Sequence, residues 1–173
     1  MKKVTIILTG VILMTIGTLS VNAQNGTQTK TASANSSATI VTPIAITNSS
    51  DLAFGLLSPT AADGTVVLTP ASATSRSANG VTLLGTLPIS SATYTITGEP
   101  DALYKIDLPT VNIPITDGTN TMNVSNFTMN LNPTANVMAS GNNMLYVGAT
   151  LNVPANQPHG EYVGTYNVTV TYE

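Results

Sequence analysis

Every second residue from Tyr162 to Tyr172 reads Tyr162, Gly164, Tyr166, Val168, Val170 and Tyr172, with Thr165, Asn167, Thr169 and Thr171 between them. A period of two sustained over the stretch Gly160 to Glu173 describes a long strand with one face in a core and the other in water. It constrains the fold more than any other feature, because a strand of that length needs a sheet to pair with and a second layer to cover it. Tyr162, Gly164, Tyr166, Val168, Val170 and Tyr172 are therefore the expected core-facing register of that strand, and they are the residues to weigh first for any role of the tail.

The rest of the chain agrees with an all-β reading. Ala38–Ile46 places Ile40, Ile44 and Ile46 in one register, and Pro43 inside it marks an edge strand or a kink between sheets. A turn at Asn48-Ser49-Ser50-Asp51 precedes the apolar run 52–57, and short strands are expected at 65–69, 81–84, 88–97 and 103–108. Asp117-Gly118-Thr119-Asn120 between 111–115 and 122–124 is a hairpin signal. Phe127, Met129 and Leu131 alternate next, residues 132–143 read as a polar loop, and 144–153 pairs with 160–172 as the last two strands. Nine or ten short strands punctuated by Gly and Pro predict an immunoglobulin-like two-sheet β-sandwich of short antiparallel strands. Proline-containing strands of unequal length suit two open sheets better than a closed barrel.

The amino terminus reads as an address. Met1-Lys2-Lys3, an apolar run from Val4 to Leu19 and the end Ser20-Val21-Asn22-Ala23 have the pattern of a secretory signal peptide cut after Ala23. The run is too short, and too diluted by threonine, for a spanning helix of ~20 apolar residues. The expected organisation is a signal peptide over 1–23, a flexible polar leader over 24–37 and one β-sandwich domain over 38–173. Export to the periplasm, the cell surface or the medium follows, with no membrane span after cleavage.

Composition narrows function. With Lys2 and Lys3 removed, Lys30, Arg76 and Lys105 face eight acidic residues, so no basic stripe is available for nucleic acid. There is no cysteine, hence no thiol nucleophile, thiolate ligand or disulfide. His159, the single histidine, sits in Pro158-His159-Gly160 without a nucleophile elbow or further metal ligands nearby. Asp63, Glu99, Asp101 and Asp117 stand beside Gly or Pro, where carboxylates cap turns. A spaced calcium loop is missing. No catalytic, cofactor or metal site is nominated, and the chain reads as no enzyme. Tyr94, Tyr104, Tyr146, Tyr162, Tyr166 and Tyr172 could stack sugars, but their alternation with small residues favours packing.

Leu52-Ala53-Phe54-Gly55, Gly148-Ala149-Thr150-Leu151 and the Gly160–Tyr172 alternation resemble the bacterial secreted domain-of-unknown-function 4402 family. The resemblance covers about Ala38 to Glu173 and implies compartment and fold rather than an activity. A weaker likeness is to chaperone–usher pilins and spore-coat-U-like subunits, in which an alternating carboxy-terminal strand with a penultimate tyrosine is gripped by a periplasmic chaperone. Tyr172 takes that position here, whereas the pilin cysteine pair is absent. These likenesses imply a non-enzymatic exported structural or surface-assembly protein, a fimbria-like subunit assembling by β-strand addition through itself or a chaperone. A donor strand, if there is one, would be Ala38–Ile46. The alternative is a surface module that binds glycans or another ligand.

Overall fold

A computed structural model describes residues 28–173. The expected signal peptide and the first leader residues, 24–27, lie outside them. Residues 28–38 are exposed and carry no regular secondary structure. Residues 39–173 form one compact unit. No described helix is long and apolar enough to cross a membrane.

Twelve strands build that unit. Its largest sheet is organised on β11 (Asn142–Val153), twelve residues in which Leu145, Val147, Ala149, Leu151 and Val153 all point into the core. Along one edge β11 pairs first with β6 (Ala92–Thr97) and then with β3 (Gly64–Leu68), while β9 (Thr121–Met129) occupies the other edge. β1 (Ala45–Ser50) extends the sheet beyond β6, β4 (Arg76–Asn79) beyond β3, and β8 (Ile113–Thr116) beyond β9. The handover from β6 to β3 falls at Gly148. A Cβ there would lie 2.3 Å from the Leu68 carbonyl oxygen and 2.9 Å from Pro70 N.

The opposing layer is divided between two sheets. β10 (Asn136–Val137), β7 (Leu103–Asp107) and β12 (Thr169–Tyr172) form one, in that order. β2 (Leu56–Pro59) and β5 (Val81–Leu84) form the other. Each covers half of the large sheet. Tyr104 and Ile106 of β7, with Met138, meet Tyr94, Ile96, Leu145 and Val147 in one core cluster. Leu57 and Leu83 pack on Val66, Val124, Ala149 and Leu151 in the other. The guanidinium of Arg76 ties the small sheet down, donating to the carbonyls of Phe54, Leu56 (3.1 Å) and Leu84 (2.5 Å).

Immunoglobulin sheets run A-B-E-D and C-F-G. In this chain β1, β6, β11 and β9 occupy A-B-E-D in chain order and in pairing, and β7 and β12 take C and F. β10 lies outside C, and no described strand stands in the place of G.

Several local expectations change. The first strand is Ala45–Ser50 rather than Ala38–Ile46, and it continues through the expected turn by a register shift between Asn48 and Ser50. β4 was not expected, because Arg76-Ser77-Ala78-Asn79 has no apolar alternation and pairs by backbone bonds alone. The loop at 132–143 holds β10, a 3-10 turn at Ala139–Gly141 and the fully buried Met138. The tail differs most. Only Thr169–Tyr172 is strand, and its partner is β7, not β11, because β11 already has both edges filled.

Candidate assembly edge

The stretch 160–173 passes from one layer to the other. Val163 makes an isolated antiparallel bridge with Thr116, exchanging hydrogen bonds of 3.0 and 2.9 Å at the outer edge of β8. Gly164 follows and is exposed, not in the core register. Its missing side chain serves close approach, since a Cβ would sit 2.5 Å from the Pro114 carbonyl oxygen. Tyr166 then stacks on Phe127 of β9, ring centroids 4.7 Å apart and planes tilted by 44°. From Thr169 the backbone pairs with β7. Tyr162, Tyr166, Val168, Val170 and Tyr172 are all half-buried, and the residues between them are exposed. The alternation thus describes side-chain burial along a segment that belongs to two sheets in turn.

Hydrogen-bond parity along β12 identifies its outer edge. Glu173 N donates to the Leu103 carbonyl at 3.1 Å, continuing the register in which Thr171 opposes Lys105 and Thr169 opposes Asp107. In an antiparallel ladder alternate residues face the partner strand. The backbone groups of Val168, Val170 and Tyr172 therefore face away from β7, and no described strand meets them. Natural edges are commonly protected by charge, proline or a bulge. Val168-Thr169-Val170-Thr171-Tyr172 has none of these.

The Tyr172 side chain makes a separate junction. Its hydroxyl accepts from Glu99 N at 2.6 Å and donates to the Thr42 carbonyl at 2.7 Å. Glu99 Oε2 in turn accepts from Thr42 N at 2.8 Å. That contact lowers the Glu99 pKa from its usual carboxylate value. Both backbone groups of Thr42 are consequently held by side chains instead of by a neighbouring strand. This is the physical reason β1 starts only at Ala45, together with Pro43, which has no N–H to give.

Tyr166 stores a polar defect beside the edge. Its hydroxyl is buried and has no hydrogen-bond partner among the described residues. Burial, then the nearby Tyr94 phenol, pushes its pKa far above the usual tyrosine value, although no hydrogen bond of acceptable geometry joins the two. An unsatisfied buried hydroxyl costs about 1–3 kcal/mol. Tyr166→Phe, which keeps the ring on Phe127, is expected to raise stability by about 1 kcal/mol in urea melts. The pH dependence gives a second readout. The unfolded phenol ionises near about pH 10 and the folded one does not, so the native state binds more protons there and stability falls as pH rises beyond that point. Below about pH 10 both states are protonated and the effect vanishes. Tyr166→Phe should show the shallower alkaline decline.

The other sequence candidates are dispersed. His159 is exposed in its turn. Asp117 Oδ1 accepts from the backbone N–H of Thr119 (2.8 Å) and Asn120 (2.6 Å), and Oδ2 from Asn120 Nδ2 at 3.0 Å. These bonds, those from Asn120 foremost, hold its carboxyl well below the usual carboxylate range while they build the β8–β9 hairpin. Asp63 Oδ1 accepts from Ala155 N at 2.8 Å, and Asp101 occupies a left-handed position at φ 61°. Among the described residues no three His, Cys, Asp or Glu side chains converge as metal ligands. The tyrosines form no exposed platform: Tyr94 and Tyr104 are buried and the other four half-buried. A shallow cleft of about 350 Å³ lies elsewhere, with Asp63, Asn79, Asn123 and Asn152 in its lining. A second, of about 490 Å³, opens between the ends of β7 and β9, with Leu108, Phe127, Met129 and Leu131 among its walls. The junction of Thr42 with Glu99 and Tyr172 was beyond sequence reasoning, since residues so far apart share no local pattern.

The model of a family described as a domain of unknown function, DUF4402, matches residues 44–172. The chain belongs to that family. The match spans β1 to β12, so the A-to-F strand arrangement and its uncovered β12 edge lie within the family domain. No curated protein and no solved structure matches the chain.

Proposed function

We propose that this is a non-enzymatic exported protein with a structural or surface-assembly role, a fimbria-like subunit that associates by β-strand addition. The observation that carries the reading is the outer edge of β12, which lacks a partner strand among the described residues and lacks the usual protection. An edge of that kind offers backbone donors and acceptors for affinity and alternate side-chain positions for selectivity. Its neighbours fit the role: Val168, Val170 and Tyr172 remain only half covered, as core residues do where a flanking strand is missing.

Sedimentation of the purified exported protein over a wide concentration range tests this. Reversible self-association is expected. A strict monomer at every concentration would remove the assembly reading. The glycan-binding alternative keeps one support, the shallow cleft that brings the Asp63 carboxylate together with the amides of Asn79, Asn123 and Asn152. A glycan array is its test, and an array without hits removes it.

A further inference from the structure

We infer that the outer edge of β12 takes up a second copy of this chain, whose Ala38–Thr42 stretch adds to it as a strand. The inference rests on the strand-addition reading above and supplies the donor.

Ile40 is the decisive residue. It is 95% exposed, and its neighbour Val41 is 48% exposed, whereas Ile96 and Ile106 are buried at 0% and 2%. An isoleucine so exposed contributes nothing to its own fold and keeps its apolar surface available for burial by a partner. The stretch lies outside every described strand, so its backbone is not committed to a sheet. Ile40 and Thr42 share a register, and Pro43 belongs to the opposite one. A donor that turns the N–H groups of Ile40 and Thr42 toward β12 leaves proline's missing donor on the far side, where it costs no ladder bond.

Charge also fits. Neither Ala38–Thr42 nor Val168–Tyr172 contains an ionisable carboxylate or amine, so two acidic copies can meet along this line without burying a charge. The Thr42 junction adds a control element. In its own chain Thr42 is held by Glu99 and Tyr172 beside the edge but not paired to it, and release of those bonds frees the backbone that donation requires.

The absence of native cysteine makes the test direct. Exported Ile40→Cys and Val170→Cys proteins are mixed and oxidised, and the product is identified by mass. A disulfide-linked heterodimer is expected in clear excess over that from a Thr47→Cys and Val170→Cys mixture. Equal yields from the two mixtures would overturn the inference. Ile40→Asp supplies an independent arm, because so exposed a side chain can change without unfolding the domain. At an unchanged melting temperature it should weaken self-association at least tenfold. Tyr172→Phe, which frees the Thr42 carbonyl, should strengthen association. Full association of Ile40→Asp would refute Ala38–Thr42 as donor while leaving strand addition standing. A wild-type protein that never associates would refute both.

Discussion

Removal of Thr169–Glu173 is expected to abolish the cooperative melting transition and leave a chain that binds hydrophobic dyes. The deletion takes away all of β12, the strand that pairs with β7 from Asp107 to Tyr104. Tyr104 and Ile106 are among the most deeply buried side chains, and both sit on β7. Val170 and Tyr172 are half-buried against the cluster around them, so losing both forfeits, for each, half of the ~1.5–3 kcal/mol that full burial of an apolar side chain gives. The ladder bonds to β7 are lost as well. The two losses together approach the lower end of the stability of a typical domain, about 5 kcal/mol. Circular dichroism during heating is the measurement. A truncated protein that still melts in one sharp transition would mean that β12 is an accessory to the core, and the uncovered edge would lose its structural meaning.

The alternating burial of Tyr166, Val168, Val170 and Tyr172 was legible from period-two spacing, but the tail's neighbour was not. Alternation states which side chains face inward and nothing about which strand supplies the hydrogen bonds. Val81–Leu84 and the Asp117–Asn120 hairpin were readable because their signals are local: apolar alternation in one, an Asx turn in the other. Arg76–Asn79 was not, since its contribution is backbone pairing with β3 plus a guanidinium that reaches three distant carbonyls. Met138 was hidden for a different reason. One buried side chain between polar neighbours has no period, and its burial follows from β10 folding back on β7. The late start of β1 belongs to the same class, because the groups that capture Thr42 come from residues 99 and 172. Local patterns thus located most strands, whereas the edge that matters for association emerged only from the order of the sheets.

Gly148→Ala is expected to destabilise the protein by about 3 kcal/mol, the upper range for overpacking a rigid interior. The prediction opposes the general trend, since replacing glycine inside a strand ordinarily gains about 0.5–1 kcal/mol. Its sign is set by what the added Cβ meets. The nearest atoms are the Leu68 carbonyl oxygen at 2.3 Å, Pro70 N at 2.9 Å and Thr69 C at 3.0 Å, all of them backbone. No side-chain rotation relieves such a contact, so either β3 retreats or β11 bends. Retreat of β3 would pull Val66 and Leu68 from the core, and bending β11 would disturb its pairing with β9, which already shifts register between Gly148 and Thr150. Urea titration of the substituted protein measures the loss. A neutral or stabilising result would show that β3 can slide along β11 at little cost. It would also leave the glycine in the middle of the longest strand without a packing reason to be there.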